Sequence, residues 1–175
     1  MEIFITPARD VYKTICTQDI THVLTLLTSE EKDAVKLPAF FNRSNYLFLE
    51  MADVIDATSP FSPQKEQIRK MLRWANNLPS DAKLLVHCFA GVSRSTAAAL
   101  AIKIQNDGVD NLVNAIDWLV FHRPNACPNP VITKYADELL NANGELFRHA
   151  EAVAESRVIN CYNSDSTLTW RDILD

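Results

Sequence analysis

Residues 83–105, KLLVHCFAGVSRSTAAALAIKIQ, contain two regular elements joined by a short loop. KLLVHC, residues 83–88, is an apolar run typical of a strand buried on both faces of a sheet. From Ser93 the alanine-rich sequence predicts a helix that ends at Asp107-Gly108. The loop FAGVSRS therefore joins the end of a strand to the beginning of a helix.

More strands and helices are expected on both sides of this segment. Apolar and β-branched runs predict strands at residues 3–5, 21–27 and 45–52. Capping residues and apolar periodicity predict helices at residues 8–15, 29–35, 62–78, 109–122 and 130–142. Because strands alternate with helices before helices continue alone, we predict an α/β fold. Its central sheet is expected to be mostly parallel, with about four or five strands flanked by helices and a helical C-terminal half.

Length and composition limit the class of protein. The 175 residues suit a single domain over residues 1–175, with the tail from about residue 144 unassigned beyond a helical start. A net charge of −5 argues against nucleic acid as the main partner. No apolar run is long enough to span a membrane, and the N-terminus lacks a signal pattern, so a cytoplasmic location is expected. The four cysteines show neither a disulfide framework nor zinc-ligand spacing, and no metal or cofactor is expected.

The loop after the strand has the properties of an anion site. The N-terminus of a helix presents unpaired backbone N–H groups and a partial positive charge. Gly91 allows a sharp turn, so that further N–H groups can converge on one point. The same field favours a thiolate at Cys88 over a thiol. Arg94, six residues later, could close over the loop and hold two oxygens of a phosphate.

The segment HCFAGVSRS, residues 87–95, resembles the HCxxGxxRS signature of the cysteine-dependent protein tyrosine phosphatase superfamily. It is similar to the corresponding loop of small dual-specificity enzymes and their compact bacterial relatives. The resemblance implies that Cys88 is the nucleophile that forms a phosphocysteine intermediate and that Arg94 binds phosphate. It also implies that Ser95 helps the thiolate to leave and that His87 supports the thiolate from behind. Substrate phosphate would be held by the loop residues Phe89, Ala90, Gly91, Val92, Ser93 and Arg94.

The family also uses an aspartate on an earlier loop, as general acid and then as general base. Its pattern places this residue seven positions after an aromatic residue in a strand. Tyr46 and Asp53 have that spacing, so Asp53 is our candidate. Asp56 is the competing candidate, because its distance to the following helix resembles that in some dual-specificity members. Either aspartate could instead simply begin a turn.

Two other polar segments are interpreted as structural. Arg123 and Asn129 lie in a proline-rich segment that resembles a family segment supporting the phosphate loop, but helix termination and restart explain it more simply. The acidic run Glu30, Glu31 and Asp33 is interpreted as a solvated start of a helix.

The expected function is hydrolysis of phosphate monoesters, on a phosphorylated protein or a small phosphate ester, with phosphotyrosine in proteins favoured. No Lys or His occurs at positions 89–93, which disfavours inositol phospholipids as substrates. A phosphoprotein-binding pseudophosphatase is the main alternative, although such proteins usually lose the cysteine, the arginine or the acid. A sulfurtransferase of the rhodanese type is a third hypothesis, because enzymes of that type also place a cysteine in an anion-binding loop.

Overall fold

A computed structural model describes residues 1–161 of the chain, with side chains described as far as residue 156. The strands are β1 (Glu2–Pro7), β2 (His22–Leu27), β3 (Tyr46–Glu50) and β4 (Lys83–Cys88). The α-helices are α1 (Val11–Gln18), α2 (Lys65–Asn76), α3 (Arg94–Asp107), α4 (Leu112–His122), α5 (Pro130–Leu140) and α6 (Glu145–Cys161). Short 3-10 turns occupy Ala8–Asp10, Lys32–Ala34, Arg43–Asn45 and Val109–Asn111.

The four strands form one sheet in the order β1-β4-β2-β3, and every neighbouring pair is parallel. The predicted α/β fold is therefore confirmed. Cys88 at the end of β4 is in register with Pro7 of β1, and His87 is in register with Thr25 of β2. Because all strands run the same way, the segments that follow them leave the sheet at one edge.

Helices cover both faces of this sheet. Helix α1 packs on one face, where Val11 and Ile15 belong to the same buried cluster as Val23 and Leu85. Helices α2 to α6 contribute to the larger core on the other face. Helix α3 lies in the middle of that core, and its alanines 97, 98, 99 and 101 are fully buried. None of the helices among residues 1–161 is long and apolar enough to cross a bilayer.

Several predicted helices begin later than expected or are shorter, and 3-10 turns precede α1 at Ala8–Asp10 and α4 at Val109–Asn111. Helix α2 begins at Lys65 rather than near Ser62, because Gln64 and Gln67 exchange side-chain and backbone hydrogen bonds in a capping box. The helix expected over residues 29–35 is only the turn Lys32–Ala34. Serine and acids promote the start of a helix, but here no amphipathic face follows them that could hold a longer helix against the core.

Candidate active site

The thiol of Cys88 lies on the floor of the loop between β4 and α3. The residue is fully buried, and its Sγ accepts a hydrogen bond from the backbone N–H of Gly91 at 3.3 Å. The hydroxyl of Ser95, in the first turn of α3, lies 3.2 Å from the same sulfur. A backbone donor and a hydroxyl thus converge on Sγ at the N-terminus of a helix, an arrangement that stabilises negative charge.

The curvature of the loop depends on a close approach at Gly91. Its φ of +70° lies in the left-handed region, and its α-carbon faces the end of β1. A Cβ at this position would lie 2.6 Å from the backbone nitrogen of Pro7 and 2.7 Å from the carbonyl carbon of Thr6. The expectation that glycine is needed for the turn is thus supported by two separate constraints, the backbone conformation and the lack of space.

The remaining loop residues differ in exposure. Phe89 and Ala90 are exposed at the rim, and Val92 and Ser93 are half-buried. The hydroxyl of Thr96 donates to the carbonyl oxygens of Val92 and Ser93, which ties the loop to the first turn of α3. The Phe89 ring is 54% exposed, so the rim of the site carries an apolar surface beside Cys88.

Arg94 reaches back from α3 to the loop that follows β2. Only 3% of its side chain is exposed, and its Nη1 and Nη2 donate to Oε2 and Oε1 of Glu31 at 2.8 and 3.1 Å. Nη1 also donates to the carbonyl oxygen of Met51 at 2.9 Å. Burial opposes the charge of the guanidinium, but the bonds to Glu31 and the charges of Asp53 and Cys88 raise the pKa of Arg94. The same bonds to Arg94 lower the pKa of Glu31.

These contacts leave the N–H groups along one edge of the guanidinium without a hydrogen-bond partner among the described residues, and we call this side its open edge. An arginine has five N–H donors, and Glu31 and Met51 take three of them. The other two are the N–H of Nε and the N–H of Nη2 beside it, which point the same way. Nε is buried and has no hydrogen-bond partner among the described residues, and it lies 3.6 Å from Oδ2 of Asp53. A planar pair of donors of this kind matches two oxygens of a phosphate.

Asp53 follows β3 and lies beside this open edge. Its Oδ1 accepts hydrogen bonds from the hydroxyl of Ser93 at 2.6 Å and from the side-chain amide of Asn129 at 3.0 Å. Asp56 instead accepts from the side chain and backbone of Thr58, within its own exposed turn, and these bonds lower the pKa of Asp56. Of the two candidate acids, Asp53 is thus the one that contacts the loop and Arg94.

His87 lies on the opposite face of the sheet from Cys88, because side chains alternate along a strand. Its Nε2 is 2.6 Å from the hydroxyl of Thr25 on β2. Burial lowers the pKa of His87 to about 4, although the backbone of Cys88 acts to raise it. The imidazole is therefore neutral near pH 7, so any support it gives to the thiolate comes through position and hydrogen bonding rather than through positive charge.

The proline-rich segment between α4 and α5 contacts the loop directly, which corrects its interpretation as helix punctuation alone. Nη2 of Arg123 donates to the carbonyl oxygen of Gly91 at 2.6 Å, and burial lowers the pKa of Arg123. The backbone N–H groups of Cys127 and Asn129 donate to the carbonyl oxygens of Val92 and Ser93 at 3.0 and 3.3 Å. Oδ1 of Asn129 also caps α5, as the prediction of a helix restart required.

Several solved structures of phosphatases and phosphatase-like proteins have a fold similar to that of this chain. The human tyrosine phosphatase-like serine/threonine/tyrosine-interacting protein is 23% identical, with 78% of this chain and 89% of that chain covered and a TM-score of 0.62. Human DUSP28 is 17% identical, with 81% of this chain and 89% of that chain covered and a TM-score of 0.60. PTPMT1, solved in complex with PI(5)P, is 17% identical, with 87% of this chain and 94% of that chain covered and a TM-score of 0.58. The chain has the tyrosine phosphatase fold.

At identities of 17–23% this likeness establishes the fold and not the activity. No family model matches the sequence, and no curated protein is significantly similar to it. The tyrosine phosphatase fold is the fold that the resemblance of the segment HCFAGVSRS implied.

Glu31 is the site residue that sequence analysis missed. It was interpreted as part of a solvated helix start, but only 26% of its side chain is exposed and both carboxylate oxygens bind Arg94. The available signal was its position shortly after β2, at the edge of the sheet where Cys88 also ends its strand. Glu30 and Asp33 share that position, so the pattern alone did not distinguish Glu31 from its neighbours.

Proposed function

We propose that the chain is a cysteine-dependent phosphatase that hydrolyses phosphate monoesters through a phosphocysteine intermediate. The observation that carries this proposal is the thiol of Cys88, which meets the N–H of Gly91 and the hydroxyl of Ser95 beside the open edge of Arg94. A nucleophile and a fixed planar donor pair at one anion site are the elements that phosphoryl transfer requires.

In the first step the thiolate sulfur of Cys88 attacks phosphorus, so that an S–P bond forms while the bond from phosphorus to the ester oxygen breaks. Asp53 gives its proton to the departing oxygen, which would otherwise leave as an anion. The loop N–H groups and the open edge of Arg94 hold the phosphoryl oxygens, whose charge they balance in the transition state.

In the second step water attacks the phosphocysteine, and the S–P bond breaks. Asp53, now a carboxylate, takes a proton from that water. The hydroxyl of Ser95, 3.2 Å from Sγ, stabilises the departing thiolate, and inorganic phosphate leaves. The thiolate of Cys88, the protonated Asp53 and Arg94 are then as they were before the first step.

The favoured substrate is a phosphorylated protein, with phosphotyrosine preferred. The exposed ring of Phe89 offers an apolar surface for an aromatic group beside the loop. The neighbour PTPMT1 was solved in complex with PI(5)P. In this chain, however, positions 89–93 are Phe, Ala, Gly, Val and Ser, without a cation to bind the additional phosphates of an inositol lipid.

The test is an assay of the purified, reduced protein on a small aryl phosphate in the presence of a chelator, beside Cys88→Ser. Turnover that survives chelation, is blocked by vanadate and is lost in Cys88→Ser would support the thiolate mechanism. Asp53→Asn should then reduce kcat by about 10²-fold or more. The matched variant Asp56→Asn should leave kcat close to that of the wild type.

A well-folded wild-type protein without turnover would contradict the proposal. The next candidate is a phosphoprotein-binding module, and one structural neighbour is indeed described as a phosphatase-like interacting protein. Binding of a phosphotyrosine peptide that disappears in Arg94→Ala would support that alternative. Transfer of sulfur from thiosulfate would instead favour a sulfurtransferase.

A further inference from the structure

Asn129 is a fully buried asparagine that precedes α5 and uses all of its hydrogen-bonding capacity. Its Oδ1 accepts from the backbone N–H groups of Val131 and Ile132 at 3.1 and 3.2 Å. Its Nδ2 donates to Oδ1 of Asp53 at 3.0 Å and to the carbonyl oxygen of Val54 at 3.1 Å. Two acceptor bonds and two donor bonds are the full capacity of a side-chain amide. Serine or aspartate could cap the helix, but only an amide also supplies the two donors.

The bonds from Asn129 make the two oxygens of Asp53 inequivalent. Oδ1 receives two donors, one from Ser93 at 2.6 Å and one from Asn129 at 3.0 Å. Oδ2 receives neither and lies 3.6 Å from Nε of Arg94, at the open edge of the guanidinium. A proton on Oδ1 would have to displace one of these donors, whereas a proton on Oδ2 would face the position of the bound phosphate.

We propose that Asn129, together with Ser93, is a positioning residue that makes Oδ2 of Asp53 the oxygen that carries the catalytic proton. This inference rests on the proposed function. In the first step the bond between Oδ2 and its hydrogen breaks as the leaving oxygen takes the proton. In the second step Oδ2 recovers a proton from the attacking water.

Asn129 also joins the acid to the phosphate loop. Its backbone N–H donates to the carbonyl oxygen of Ser93 at 3.3 Å, while the hydroxyl of Ser93 donates to Asp53. The acid segment, the phosphate loop and the N-terminus of α5 therefore meet at one residue. This arrangement fixes Asp53 relative to the loop that holds Cys88, and a displacement of about 1 Å in such a group can cost on the order of 10²-fold in rate.

The experiment compares Asn129→Ser with the wild type on aryl phosphates of different leaving groups. Serine still caps a helix, but it removes the amide donors to Asp53. Protonation of the leaving oxygen belongs to the first step and matters most for a poor leaving group, so kcat/KM, which reports only that step, should fall about tenfold or more on phenyl phosphate. On an aryl phosphate with a strongly activated leaving group, the loss should stay under about threefold, because that oxygen departs without a proton.

Asn42→Ser is the matched control. Asn42 also caps a turn through its side chain, but it is exposed and lies at the amino end of β3, away from the site. This variant should change neither rate. In an Asp53→Asn background, Asn129→Ser should have no further effect on kcat/KM, because the group it positions is gone.

An equal loss on all leaving groups, no loss on any, or an additive loss in the double variant would overturn the inference. A wild type inactive on every aryl phosphate would contradict the proposed function instead. Amide hydrogen exchange would then decide on Asn129 separately. Exchange in residues 51–56 should be faster in Asn129→Ser than in the wild type, and unchanged exchange would overturn the inference.

Discussion

Arg94 carries a positive charge where only 3% of its side chain meets solvent. Leaving such a charge buried without a partner would cost several kcal/mol. Glu31 supplies two oxygens to the far end of the guanidinium, while Nε and the adjacent N–H of Nη2 stay open. The pair therefore stabilises the buried charge while Nε keeps no hydrogen-bond partner among the described residues.

Replacement of Glu31 by glutamine tests this pairing. The amide has one oxygen and no charge, and its NH₂ group would face an N–H of Arg94. We expect kcat/KM on an aryl phosphate to fall about tenfold to a hundredfold, the range of a charged hydrogen bond. Glu30→Gln is the control, since Glu30 is the exposed neighbour. Wild-type kinetics in Glu31→Gln would show that Arg94 keeps its position without the carboxylate of Glu31.

His87 makes stability depend on pH. Its pKa is lowered from 6.5 to about 4 in the folded protein by burial, so between these values the unfolded chain binds a proton that the folded one does not. The stabilisation is complete above pH 6.5 and decreases as the pH falls towards 4, by up to about 3 kcal/mol.

We therefore expect the Tm of the wild type to fall between pH 6.5 and 4, and to fall less steeply in His87→Gln. Glutamine keeps a polar group near Thr25 but does not titrate. His122→Gln, at the exposed end of α4, should retain the wild-type slope. Equal slopes in His87→Gln and the wild type would assign the acid sensitivity to other groups, namely carboxylates or His22, whose pKa burial also lowers.

At the scale of elements, the loop between β4 and α3 depends on contact with β1. Gly91 packs against the backbone of Thr6 and Pro7, and Ala8 donates its N–H to the carbonyl oxygen of Phe89 at 3.1 Å. Arg123 binds the carbonyl oxygen of Gly91 from the end of α4. The loop is thus clamped by two elements distant in sequence, which keeps the N–H of Gly91 aimed at Sγ of Cys88.

Gly91→Ala tests this clamp. Alanine would be strained by the positive φ and would place a methyl group 2.6 Å from the nitrogen of Pro7. Gly108→Ala is the matched control for backbone strain without a clash, because Gly108 has a φ of +89° but no atom within 4 Å of an added Cβ. Both variants should lose on the order of 1–3 kcal/mol in denaturant unfolding from backbone strain. Gly91→Ala should lose more, and only this variant should lose turnover. Normal turnover in it would contradict a rigid loop.

At the scale of the whole molecule, the parallel sheet gathers the site. Glu31 follows β2, Asp53 follows β3, and Cys88 ends β4, so one edge of the sheet brings together residues far apart in sequence. The ion pair of Arg94 and Glu31 spans 63 positions, and the bond from Asn129 to Asp53 spans 76. An anion bound there would therefore stabilise the global fold and not only a loop.

Thermal unfolding in the presence of tungstate, an oxyanion of phosphate-like shape, tests whether an anion bound at this site stabilises the global fold. At a concentration about 100 times Kd, a ligand that binds only the folded state adds about 2.7 kcal/mol. For a chain of this length that corresponds to a rise in Tm of about 5–10 °C. Cys88→Ser should keep most of the rise, and Arg94→Ala should lose it. A rise retained in Arg94→Ala would place the anion at another site.

The arrangement of β4, the loop and α3 was predictable because its determinants are local. Cys88, Gly91 and Ser95 lie within eight consecutive residues, and the strand, the glycine and the helix start that bring them together are all readable in that stretch. The parallel sheet followed in the same way from apolar runs that alternate with helical patterns. These local patterns sufficed for the fold and for the candidate nucleophile and phosphate-binding arginine.

The other contacts at the site were decided only by tertiary structure. Glu31 and Glu30 are identical in type and adjacent in sequence, yet only Glu31 binds Arg94. Asp53 was favoured over Asp56 by spacing, but its contacts come from Ser93 and Asn129, 40 and 76 positions away. The direction of a side chain on a loop depends on the partners that the folded chain brings to it. Local propensity holds no information about those partners.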